Sequence, residues 1–170
     1  MNIYVLYALL AAVLFGASTP IAKLLLGDLP PILLAGLLYL GSGLGLSAAR
    51  LIRDRRWQPS GLASAEWPWL LGAMLFGGVL APVALLYGLV NTGGATASLL
   101  LNLEAVLTAV LAWVAFKENA DRRIVLGMLA IVAGGAVLSW PAAGAGPTTW
   151  AGPLAISAAC LCWAIDNNLT

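Results

Sequence analysis

Glu104 is a carboxylate inside a largely apolar run from Ala95 to Phe116, and Asn102 stands two positions before it. A run of that length spans the hydrocarbon core of a bilayer, with the carboxylate near its middle. An ionisable group at that depth costs at least about 2.5 kcal/mol to insert, so it faces protein or a water-filled cavity and marks a substrate or ion path. The chemistry open to Glu104 is proton exchange or contact with a substrate; the structural alternative is an ion pair or hydrogen bond between helices. Asp166, Asn167 and Asn168 form a second polar cluster in the apolar run that starts at Ala151, with Asp166 about 22 Å along it. They can line a cavity, fix helix contacts, or mark an early helix end. Ser18, Thr19 and Pro20 occupy the matching position of the first apolar run. Pro20 should kink that helix, freeing carbonyls for hydroxyls or water to satisfy. Gly77, Gly78 and Pro82 give the third run the same capacity to bend, and helices interrupted at corresponding points of two halves point to a central site.

These side chains need elements to hold them. The chain is 62% hydrophobic and 9% charged, far from the roughly one-quarter charged content of globular proteins, and reads as an integral membrane protein. Its net charge is +1 and it has no histidine, so a basic nucleic-acid surface, an imidazole metal site and an imidazole general base are all excluded. No metal, cofactor or enzymatic activity is expected. Cys160 and Cys162 point to different faces of one helix and read as small packing residues. Six apolar segments, 3–26, 30–49, 67–90, 93–116, 124–142 and 151–170, each approach the roughly 20 residues of a spanning helix. The first has no basic flank and exceeds a signal-peptide core, so it is expected to stay as a helix. Pro30 and Pro31 suit a helix start, Arg50 opens the one long polar stretch, Asn91–Gly94 makes a turn, and Asp121 suits an N-cap. Gly36, Gly41, Gly45 and Ala49 on the second segment, and Ala130, Gly134 and Gly135 on the fifth, form small-residue faces suited to close helix packing.

Lysine and arginine set the orientation, because positive loops stay in the cytoplasm. Arg50, Arg53, Arg55, Arg56, Lys117, Arg122 and Arg123 fall on one side and Lys23 on the other, which makes the N-terminus cytoplasmic. Lys23 lies near the outer end of its helix, where it is expected to snorkel outward or meet Asp28, while Glu104 is about 16 Å in. Trp57, Trp67, Trp69, Trp113, Trp140 and Trp150 sit near segment ends as interfacial anchors. Residues 11–20 also align with residues 158–167 at an offset of 147, sharing Ala, Ala, Leu and Ala in register. Five helices precede the second copy, so the copies would be inverted and a parent protein would have about 290 residues. On that reading the chain is a truncated one, a full repeat plus the first helix of the next.

The order of features resembles the EamA-type branch of the drug/metabolite transporter superfamily. The residues that carry the resemblance are Leu14–Pro20, Leu86–Leu100, Val110–Glu118 and Gly127–Leu138. The resemblance implies an all-α integral membrane fold of two inverted five-helix repeats, here residues 3–142 as the first repeat and 151–170 as the first helix of the second. It also implies a multi-pass inner-membrane exporter of small organic metabolites or drugs. Glu118 matches the family's acidic residue after the fourth helix and is expected to be structural. Family members commonly carry proline near the middle of that helix, where this chain has Leu101–Glu104. The expected partners are the bilayer, a small-molecule substrate, a coupling proton and the C-terminal half of the same protein, with no nucleic acid. The candidate site comprises Glu104, Asn102, Ser18, Thr19, Asp166 and Asn167. The rival expectation is a membrane scaffold or subunit whose polar residues only fix helix packing.

Overall fold

The computed structural model describes residues 3–55, 61–117, 121–139 and 150–170. Within them the chain is helical throughout, in six membrane-length units: α1 (Ile3–Leu25), α2 (Pro31–Asp54), α3 (Ser64–Val90), α4 (Gly94–Phe116), α5 (Arg122–Ser139) and α6 (Ala151–Leu169). Of these, α1 to α4 are each long and apolar enough to cross a bilayer. Large apolar side chains such as Leu24, Ile32, Ile52 and Val114 point outward, which suits contact with lipid. Arg56, Trp57, Glu118, Trp140 and the Gly/Pro-rich stretch 143–149 lie outside the described residues.

The helix ends follow local chemistry. Pro31 opens α2, where a missing N–H costs nothing. Asp121 accepts from the Arg123 N–H at 3.4 Å and caps α5. Contrary to the boundary expected at Arg50, α2 continues to Asp54 and ends at Arg55 in the left-handed region (φ 53°). The extra turn is held by Arg50 and Asp54 four residues apart at 3.5 Å and by Arg53 against Asp54 at 2.8 Å.

The centre of the bundle is α6, running antiparallel to α3 and parallel to α4. Its buried residues, Gly152, Ile156, Ala159, Cys160 and Ala164, recur at helical spacing. The core joins Ala22, Leu34 and Ala35 to Leu86, Leu89, Ala97, Leu100, Ile156 and Cys160, so α1, α2, α3, α4 and α6 meet there. Glycine brings α3 and α6 together: a Cβ on Gly88 would lie 2.6 Å from Ile156 Cγ1 and 2.9 Å from the Gly152 carbonyl, and one on Gly72 would lie 3.1 Å from Leu169. This corrects the packing face expected on α2, while on α5 Ala130, Gly134 and Gly135 do face α4 across a groove lined with Leu99 and Asn102. Cβ positions on Gly36, Gly41, Gly45, Gly134 and Gly135 meet nothing within 4 Å. A small-residue stripe permits close approach, but only a partner at that height on the neighbouring helix produces it.

Candidate functional site

Both α3 and α4 are interrupted at mid-span, and α6 touches both interruptions. In α3 the residues Met74–Leu80 form a π-helical turn, closed by the Ala81 N–H bonding to the Phe76 carbonyl five residues back. In that register the Gly77 carbonyl falls to Pro82, which has no N–H. The Tyr39 hydroxyl of α2 donates to it instead, at 3.0 Å. On its other side Gly77 carries the Asp166 carboxylate of α6, which fills the place of a β-carbon. The Gly77–Pro82 region therefore interrupts its helix as expected from the sequence.

The interruption of α4 has no proline. At Leu101–Asn102 the helix tightens to three-residue bonds, Asn102 N–H to the Leu99 carbonyl and Glu104 N–H to the Leu101 carbonyl, both at 3.1 Å. Each diverted bond releases the carbonyl one residue earlier, and each receives a side chain. Asn102 turns its own amide back onto Ser98 at 3.2 Å and Leu99 at 3.1 Å. The Leu100 carbonyl takes the buried thiol of Cys160 on α6 at 3.5 Å. Cys160 is thus more than the packing residue expected from the sequence; it serves the break in α4. No signal in the sequence linked it to residue 100, because the two meet only through the parallel docking of α4 and α6.

Glu104 lies in the first turn of the second half of α4, where the positive end of the helix dipole favours a carboxylate. It is partly buried, and its Oε1 accepts from the Asn167 amide at 3.0 Å. That amide also reaches the Thr108 hydroxyl at 3.4 Å, and Asn168 donates to the Thr108 carbonyl at 3.3 Å. Leu101, Asn102, Glu104, Ala105, Thr108 and Asn167 line a groove of about 570 Å³ between α4 and α6. Among the described residues the ion pairs are those of Asp54, so the partner of Glu104 is a neutral amide.

The candidate residues therefore divide between the faces of α6. Glu104, Asn102 and Asn167 share the groove, while Asp166 turns to Gly77 on α3. Asp166 to Asn168 do not end their helix early, since α6 runs to Leu169. Ser18 and Thr19 line a separate cavity of about 550 Å³ among α1, α2, α3 and α6, shared with Tyr39, Ser42 and Trp163. Pro20 lies inside α1, and Ser18 donates to the Phe15 carbonyl at 2.6 Å. Lys23 does not take Asp28, one of its two expected destinations, but the end of a neighbouring helix. Its ammonium donates to the Leu89 carbonyl and, at 3.4 Å, to that of Val90. The last carbonyls of a helix lack partners along the chain and sit at its negative end, so the C-terminus of α3 draws the cation more strongly than an exposed Asp28 does.

Residues 2–140 match the EamA-like transporter family. An uncharacterised transporter of Methanothermobacter thermautotrophicus (strain Delta H) is 26% identical over 138 residues, covering 75% of this chain and 40% of that relative. The chain therefore spans less than half the length of the curated relative it matches. No solved structure matches the chain. With helices of membrane length and a family match over most of its residues, this multi-pass membrane protein belongs to the EamA-like transporter family.

Proposed function

We propose that the chain acts in a secondary transporter that moves a small organic metabolite or drug out of the cell across the inner membrane, with Glu104 exchanging a coupling proton. The observation that carries this reading is the neutral partner of Glu104: a mid-span carboxylate bonded to the Asn167 amide at 3.0 Å and facing a groove. With a cationic partner the proton would be held off; with an amide, both protonation states keep a hydrogen bond, because the amide offers a donor and an acceptor. The seven-to-one distribution of Lys and Arg supports a cytoplasmic N-terminus. The reading also takes residues 3–142 as one five-helix repeat and 151–170 as the first helix of an inverted second, supported by the similarity of residues 11–20 to 158–167. No enzymatic role is proposed.

Glu104→Gln tests it. The substitution keeps shape and the bond to Asn167 but removes titration, so the folded protein in membrane vesicles should lose its response to a pH gradient. A well-folded Gln variant with unchanged transport and pH response would remove Glu104 from the mechanism and favour the scaffold reading. A Gln variant that fails to fold would mark Glu104 as structural.

A further inference from the structure

The cavity on the far side of α6 has the chemistry of a binding site for an organic cation. Its volume of about 550 Å³ is of small-molecule size. Its wall is aliphatic and aromatic, with the Phe15, Tyr39 and Trp163 rings, and its side-chain polar groups are the hydroxyls of Ser18, Thr19, Ser42 and Tyr39 and the Trp163 indole N–H. Trp163 lies on α6 three residues before Asp166, on the same side of the helix. The Asp166 carboxylate rests on Gly77, whose carbonyl holds the Tyr39 hydroxyl, so a negative charge stands beside the aromatic wall.

Nothing on the described chain neutralises that charge. The basic side chains sit at the helix ends: Lys23 on the α3 carbonyls, Arg50 and Arg53 on Asp54, and Arg55, Lys117, Arg122 and Arg123 beyond the apolar segments. At mid-span the acids are Glu104, held by Asn167, and Asp166. An unpaired carboxylate at that depth is costly, and a cation that brings its own apolar body offsets the cost without a protein ammonium. Aromatic faces then add cation–π attraction. An anionic ligand would meet repulsion from both acids, and a neutral one would leave Asp166 unpaired.

We propose that the cavity among α1, α2, α3 and α6 binds a flat organic monocation, its charge toward Asp166 and its ring system on Tyr39 and Trp163. The inference rests on the transporter reading and names the substrate class of that transporter. Two sites then lie back to back on one helix, a proton site at Glu104 and a substrate site before Asp166. Whichever ligand is bound changes the charge within reach of the other through Asn167 and Asp166, neighbours in sequence.

Dye binding to the chain in nanodiscs, with empty nanodiscs subtracted, tests the proposal at neutral pH. Proflavine supplies a planar monocation, acridine the same ring system largely uncharged, and 2-naphthoate a planar anion. Proflavine should bind at least tenfold more tightly than acridine, and 2-naphthoate should not displace it. Asp166→Asn should reduce the preference for proflavine over acridine to less than twofold, while Trp163→Leu should weaken both dyes. Equal affinity for proflavine and acridine, displacement by 2-naphthoate, or an Asp166→Asn variant that keeps the preference would overturn it. The wild-type comparison stands even where a variant fails to fold. Loss of the dye preference removes the cation class and leaves the Glu104 vesicle result intact; a Glu104→Gln variant with unchanged transport and pH response removes proton coupling and leaves the dye result intact.

Discussion

The interruptions in α3 and α4 solve one problem in opposite ways. The turn in α3 is widened to a five-residue bond, and the carbonyl that Pro82 cannot serve is taken by Tyr39 from another helix. The turn in α4 is narrowed to three-residue bonds, and one of its released carbonyls is taken by Asn102 of the same helix. A proline removes its donor permanently, so repair must come from elsewhere in the bundle. An asparagine brings its donor with it, so the break can form wherever the residue stands. The α3 break is a property of the assembled bundle, and the α4 break is partly a property of its own sequence.

The largest way to break this comparison is Gly77→Ala. The added methyl takes the space of the Asp166 carboxylate, and overpacking of this kind costs about 1 to 3 kcal/mol. Reversible unfolding in mixed detergent micelles should show the loss, and an unchanged midpoint would mean that α6 does not brace the π-turn. Asn102→Leu comes next. It removes the amide from the Ser98 and Leu99 carbonyls and should cost about 1 kcal/mol in the same assay. The smallest effect belongs to Tyr39→Phe, at about 0.6 kcal/mol for one hydrogen bond within a membrane bundle. It also sharpens the comparison most. In a Pro82→Ala background the backbone regains an N–H for the Gly77 carbonyl, so Tyr39→Phe should become silent. An equal cost in both backgrounds would separate Tyr39 from the repair of the turn.

Apolar length made the spans legible in the sequence, and proline and glycine marked the flexible part of α3, because both act within a few residues of where they stand. Asp121 as an N-cap was readable for the same reason. The break at Leu101–Asn102 was not, since its cause is an amide folding back on its own helix rather than a proline. The partners of Cys160 and Lys23 could not be read either; they are carbonyls of other helices, and no residue type at positions 100 or 89 announces a free one. Of the site, Glu104, Asn102 and Asn167 came together as a group, while Ser18, Thr19 and Asp166 fell on other faces. Depth can be counted along a chain, but the direction a residue faces depends on how each helix is rotated in the bundle.

Because α6 fills the space between α3 and α4, the order of synthesis shapes assembly. Among the described residues five helices precede it, and until it docks the Gly77 and Gly88 notches lie open and the Leu100 carbonyl lacks its thiol. A bundle in that state has gaps where lipid or water can enter. One helix therefore closes both notches and serves the Leu100 carbonyl together, so its removal opens all three at once.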